Sequence, residues 1–183
     1  MYFIDRGDNM EWPFAQIPER KISHAEAIKI LEQGEFITVS TIDRDGKPYA
    51  TPLSYYYEDG TIYIHTGTSN GRKKDSWQLN SSVMGVVVTE IEPCYEDSFF
   101  TTRYASAMIE GTIQRIMQPE KKKWVLAKIC LKYLPEFSRE ISGAINREFA
   151  MTQVWAITIN SLTGKAGRRK KDSPSIIDNI FNK

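Results

Sequence analysis

The chain has 183 residues, of which 41% are hydrophobic and 26% charged. That length suits one domain of about 100 to 200 residues, with a core large enough to need no disulfide or zinc staple. The ordinary composition excludes collagen, coiled coil and wholesale disorder, and 24 Lys plus Arg against 23 Asp plus Glu leave no general field for gathering nucleic acid. Any anion site must be local.

Cys94 and Cys130 are the only cysteines, and no C-x-x-C spacing points to zinc, redox or haem attachment. They read as two buried thiols in a reducing cytosol. No apolar run reaches the ~18 residues of a membrane helix, and the first twenty residues are polar and acidic where a secretory signal would be apolar. The expected location is the cytoplasm.

In chain order, residues 1–18 carry Pro13, Gly7 and several aromatics without a period and read as an N-terminal arm. Ser23 and Glu26 have capping-box spacing, Ala27, Ile28 and Leu31 form an apolar stripe, and Gly34 is a stop, so a helix is predicted over about 23–33. The β-branched run Phe36–Ile42, a turn at Asp45-Gly46, a strand over 47–57, a turn at Asp59-Gly60 and a strand over 61–66 predict an antiparallel meander. A helix from about Ser69 to Leu79 comes next. Residues 83–91 read as a strand buried on both faces, and residues 103–117 as another with a bend or bulge at Gly111. Pro119 opens a helix that stops near Pro135, residues 136–149 form a second helical stretch, and 153–159 is the last strand. The fold class is therefore mainly β with helices, a small antiparallel barrel of six strands without the βαβ repeats of a dinucleotide fold. Residues 169–183 form a tail that begins basic and ends apolar around Ile176, Ile177, Ile180 and Phe181; it either docks on a partner subunit or frays.

With only His24 and His65, a three-histidine zinc site is excluded. His24 lies at the start of the first helix and reads as solvated. His65 ends a strand, shares a face with Tyr63, and precedes Thr66-Gly67-Thr68-Ser69-Asn70-Gly71-Arg72-Lys73-Lys74. A glycine- and hydroxyl-rich turn entering a helix with three cations can seat a phosphate, or it can be an ordinary helix cap with solvated bases. It lacks the spacing of a nucleotide P-loop. Pro52 within Thr51-Pro52-Leu53 belongs at an edge or bulge and can leave backbone groups free for a ligand, while the tyrosines beside it suit packing or an interface equally well. Ser106 shares a strand face with Tyr104 and Met108, where it can donate to an anion or bond locally.

Taken in order, the pre-helix ERKIS, the stretch FITVSTIDRDGKPYATPLSYYYEDGTIYIHTGTSNGRK, the strand RYASAMIEG and the closing VWAITINSLTGKAGR resemble the flavin-binding split-barrel superfamily related to pyridoxamine 5'-phosphate oxidase. Within it they are most similar to the 5-nitroimidazole resistance, or Nim-like, proteins. The resemblance covers about residues 19–168, and it implies a six-stranded split barrel forming a homodimer with flavin, FMN or occasionally FAD, at the subunit interface. By that resemblance Thr51, Pro52 and Leu53 run beside the isoalloxazine, His65, Thr66 and Gly67 line the site, Arg72 and Lys73 hold the phosphate, and Ser106 matches a family serine. Ala107 stands where the family has valine, and H-T-G replaces H-G-A. The oxidase's C-terminal R-x-H element has no counterpart, since no histidine follows His65.

The function implied is a flavin-dependent oxidoreductase that reduces a small acceptor such as a nitroaromatic, with His65 donating a proton, orienting the acceptor or only hydrogen-bonding the cofactor. Alternatives are a flavin carrier, reservoir or sensor without turnover, and a haem-binding split barrel. A nucleic-acid module resting on residues 168–171 comes last, because that basic cluster has no interleaved aromatics. No membrane partner is expected.

Overall fold

The computed structural model describes residues 18–96 and 98–167. The expected N-terminal arm and basic tail thus lie almost wholly outside the described residues. None of the described helices is long and apolar enough to cross a membrane.

The first helix, α1 (His24–Gln33), starts where the capping residues require: Glu26 N–H donates to the Ser23 hydroxyl at 3.2 Å and Ser23 N–H to the Glu26 carboxylate at 2.7 Å. His24 is exposed, as expected. The buried stripe of α1 is Ala27, Ile30 and Leu31; Ile28 is only half-buried, because positions three and four beyond Ala27 share its face. Gly34 ends α1 in an extended conformation that any residue could adopt. It is needed for space, since a Cβ there would lie 2.2 Å from Val87 Cγ1.

Six strands then form a closed barrel: β1 (Phe36–Ile42), β2 (Pro48–Glu58), β3 (Thr61–Gly67), β4 (Ser82–Glu96), β5 (Phe99–Ile116) and β6 (Thr152–Ala166). Around the barrel the order is β1-β2-β3-β6-β5-β4, antiparallel throughout. The two Asp-Gly turns are where the sequence places them, with Gly46, Asp59 and Gly60 all at positive φ. The expected irregularity at Gly111 is a register shift against β6 between Glu110 and Gly111. The expectation that residues 83–91 are buried on both faces is overturned. Val83, Gly85 and Val87 point inward while Met84 and Val88 are 43% and 46% exposed, since a single-layer barrel leaves alternate side chains outside.

Inside, Ile37, Val39, Ile62, Ile64, Val87, Ile109 and Ile157 interlock, with α1 and Trp77 of α2 (Arg72–Leu79) joining the same core. A second cluster lies outside the wall, where Val125, Leu126 and Ile129 of α3 (Pro119–Tyr133) cover Tyr63, Val154 and Ala156. The helical stretch expected over 136–149 is a short turn, α4 (Ile141–Glu148) and a further turn. Cys94 and Cys130 are free and half-buried, not fully buried: Cys94 lies on a ribbon beyond the barrel and Cys130 on the flank of α3.

The β1–β2 ladder ends at Phe36↔Ser54, and there Tyr133 of α3 supplies an extra rung. Its hydroxyl accepts from Tyr55 N–H at 2.9 Å and donates to the Glu35 carbonyl. Beside it, Lys132 Nζ donates to the Gly34 carbonyl at 2.7 Å, and burial pulls its pKa down to about 8.

Candidate functional site

β2 and β3 pair only from Tyr55↔Ile64 to Glu58↔Thr61. Both strands continue past that point, but the ladder does not, so the barrel wall splits between residues 50–54 and 65–67. Thr51, Pro52 and Leu53 form one lip of the split, with β1 as their only strand neighbour among the described residues; His65, Thr66 and Gly67 form the other, held by β6. Pro52 therefore sits where its missing donor is tolerated. Leu53 packs toward the inner core, Thr51 is half-buried and Pro52 is exposed on the outer side.

Period two separates the second lip. Thr66 turns inward and its hydroxyl accepts from Trp155 Nε1 at 3.2 Å, leaving His65 and Gly67 on the outside. Partial burial and the neighbouring Lys73 ammonium hold the His65 imidazole below its ordinary pKa, which makes the neutral ring the form present at neutral pH. Lys73 is itself lowered, by burial and then by Lys74, and its Nζ stands 5.8 Å from the Trp77 ring centroid.

The turn from Thr68 to Gly71 leads into α2, whose cap, Gly71, carries no side-chain hydrogen bond. The first helical bond is Asp75 N–H to the Gly71 carbonyl at 3.1 Å, so the N–H groups of Arg72 and Lys73 have no acceptor among the described residues. Uncapped donors beside a lysine whose ammonium also acts on His65 form an electropositive surface that suits a phosphate. Ser69 and Asn70, read as helix openers, precede the first helical residue by two positions or more.

Arg72 is already engaged. Its guanidinium meets Asp43 Oδ2 at 2.6 and 2.9 Å and stacks on Tyr49, 4.6 Å from the ring centroid. The other Asp43 oxygen accepts from the N–H groups of Asp45 and Lys47, and these bonds, with Arg72, hold the carboxyl below its usual pKa. Arg72 thus ties the β1–β2 turn to α2 and borders a cleft of about 480 Å³ with Arg44, Lys47 and Asp75. Lys73 is the cation nearer His65.

Two further residues hold the turn in place. Lys74 is buried, with Nζ donating to the carbonyls of Thr68 at 2.7 Å and Gly67 at 3.2 Å and reaching Gln153 Oε1 at 3.5 Å, while Thr68 N–H donates to the Met151 carbonyl. Their roles carry no local sequence signal, since a third cation in a row reads as solvated. Ser106 is elsewhere: it pairs with Lys165 and bonds that carbonyl at 3.4 Å, whereas His65 pairs with Val154, whose partner on β5 is Ile116. One chain sets Thr51–Leu53 and His65–Gly67 on the two lips with Lys73 beside the second, and leaves Ser106 ten residues along β5 from the position level with His65.

The pattern of relatives agrees with this architecture. A candidate 5-nitroimidazole antibiotic resistance protein from Bacteroides thetaiotaomicron matches at 24% identity and a TM-score of 0.67, over 80% of this chain and 86% of that one. An FAD and heme binding protein from Mycobacterium smegmatis matches at 20% and 0.67, over 89% and 79%. An FAD-binding protein from Mesorhizobium loti matches at 19% and 0.55, over 81% and 97%. At these identities the likenesses show a shared fold. No curated protein sequence is a significant match. The family model described as pyridoxamine 5'-phosphate oxidase matches residues 23–166, from the cap of α1 to the end of β6. The chain belongs to that family.

Proposed function

We propose that the protein binds a flavin, FMN first and FAD second, and works as an oxidoreductase of the Nim-like kind that passes electrons to a small acceptor such as a nitroaromatic. The carrying observation is the set of groups at the split: uncapped N–H groups at the start of α2, Lys73 beside them and neutral His65 on the adjoining lip. It fits a phosphate with a flat ring beside it. The flavin would supply the redox chemistry.

The chain's own residues have separate tasks in this reading. Lys73 and the α2 N–H groups hold the phosphate, and Arg72 adds to the field while remaining on Asp43. Thr51, Pro52 and Leu53 present backbone to the ring. Neutral His65 can orient the acceptor or hydrogen-bond it at the ring's edge. Thr66 contributes through its backbone, because its hydroxyl belongs to Trp155. Ser106 stands ten residues along β5 from Ile116, the residue level with His65, and in this reading it acts from the second subunit of a homodimer that holds the flavin between two chains. The proposed setting is the cytoplasm.

A second reading, a flavin carrier without turnover, is favoured by relatives described by what they bind, FAD or FAD and heme. The deciding experiment is the visible spectrum of the purified protein before and after FMN addition, with identification of any cofactor released by heat. Flavin bands and released FMN or FAD support the proposal, haem bands redirect it, and a protein that binds neither flavin overturns it. Reduction of the bound flavin by a nicotinamide donor and reoxidation by a nitroaromatic separate the enzyme from the carrier.

A further inference from the structure

Of the three cations that enter α2, Arg72 is exposed and Lys73 half-buried, but Lys74 is only 5% exposed. Taking an ammonium out of water is costly unless a counter-charge meets it. Lys74 has no ion-pair partner among the described residues. Its Nζ meets neutral oxygens instead, the carbonyls of Thr68 at 2.7 Å and Gly67 at 3.2 Å and Gln153 Oε1 at 3.5 Å. A buried charge without a counter-charge points to an anion that supplies one.

The same bonds set the direction of the turn. Its peptide bonds are trans, so each carbonyl and the N–H that follows it point opposite ways. Drawing the Gly67 and Thr68 carbonyls toward Lys74 therefore turns the N–H groups of Thr68 and Ser69 away from it. Thr68 N–H donates to the Met151 carbonyl at 3.1 Å, while Ser69 N–H, like those of Arg72 and Lys73, has no acceptor among the described residues. The charge acts as well: after burial, the Lys74 ammonium is the second cause that holds the Lys73 pKa down. Asp43 and Asp75 line the cleft that Arg72 borders, and Asp43 is engaged by Arg72. Two ammonium groups and the positive end of α2 outweigh one negative charge and match two. FMN ends in a phosphate monoester, which carries close to two negative charges at neutral pH, whereas each phosphate of the FAD pyrophosphate is linked again and carries one.

We infer that Lys74 is a positioning residue for a phosphate monoester: it turns the Ser69 N–H outward and adds a buried charge to that of Lys73, so that this turn selects FMN over FAD. The inference rests on the flavin reading above and deepens it, because it names the residue that decides between the two cofactors.

Fluorescence titration of FMN, FAD and riboflavin on the full chain, on Lys74→Met and on Lys74→Gln tests this. Methionine keeps the length without charge or donors, glutamine keeps a donor without charge, and melting curves without flavin establish that each variant folds. The wild type is expected to bind FMN about tenfold tighter than FAD, and both variants to lose about tenfold in FMN affinity with FAD and riboflavin nearly unchanged. Equal losses for all three flavins overturn the inference and leave the flavin reading standing, because a lysine that only holds the turn disturbs every flavin alike. Wild-type affinity for FAD that equals or exceeds that for FMN does the same. A glutamine variant that binds FMN as tightly as the wild type removes the buried charge as the cause and overturns the inference too; where the methionine variant fails to fold, the glutamine variant decides alone. A wild type that binds none of the three flavins overturns both the inference and the flavin reading.

Discussion

The wall formed by β4, β5 and β6 and the split between β2 and β3 obey opposite packing rules, and their glycines show it. In the wall, a Cβ on Gly111 would lie 2.6 Å from Ile157 Cγ2 and 2.7 Å from the Thr158 carbonyl, and one on Gly85 would lie 2.7 Å from Ile37 Cδ1. At the split, Gly67 has its nearest atom at 4.0 Å and Gly71 has nothing within 4 Å. The wall's glycines are filled around and serve packing. Those at the split border open space, the condition a ligand needs.

Several substitutions separate the two regions. Gly111→Ala forces a methyl against a backbone carbonyl and is expected to cost about 2–3 kcal/mol in chemical denaturation. Gly71→Ala changes stability by less than about 0.5 kcal/mol, and equal losses at the two sites would erase the contrast. Lys73→Ala is expected to leave the melting curve in place and weaken FMN about tenfold more than riboflavin in a fluorescence titration, because only FMN carries the phosphate. Tyr133→Phe, which removes the rung from Tyr55 N–H and the Glu35 carbonyl, costs about 1 kcal/mol, measured by urea unfolding.

The smallest effect is on pH dependence. The His65 pKa is lower folded than unfolded, so the unfolded chain binds the extra proton first. Stability from this group is present above the unfolded value of about 6.5 and is lost as pH falls through the folded one. His65→Gln is therefore expected to flatten the stability profile on the acid side, and an unchanged slope would remove His65 from that account.

The meander was legible because its signals are local: β-branched runs, two Asp-Gly turns and a capping box each fit within a few residues. The facing of Tyr63 and His65 against Ile62 and Ile64 came from period two, and the same period could have turned Thr66 inward. The outer ribbon was not legible, since Pro93, Cys94 and Tyr95 opposite Phe100, Thr101 and Thr102 show no alternation where both faces are outside a core. Nor was the engagement of Arg72, because its partner Asp43 is 29 positions away and acts through a turn that sequence reading used only as punctuation. Lys74 was hidden for a similar reason: its acceptors are mainly carbonyl oxygens, which leave no trace in residue type.

Closure by β6 fixes when the protein can fold. That strand pairs with β3 on one side and β5 on the other, and the Trp155 to Thr66 bond joins residues 89 positions apart. On the ribosome the first three strands emerge as an open sheet, with Ile37, Val39, Ile62 and Ile64 unhoused until nearly the whole domain has been made. Such non-local closure folds slowly and exposes apolar surface to aggregation meanwhile. A nascent chain arrested before Thr152 therefore has no barrel, and the final strand sets the moment at which the split, and any ligand seat along it, comes into existence.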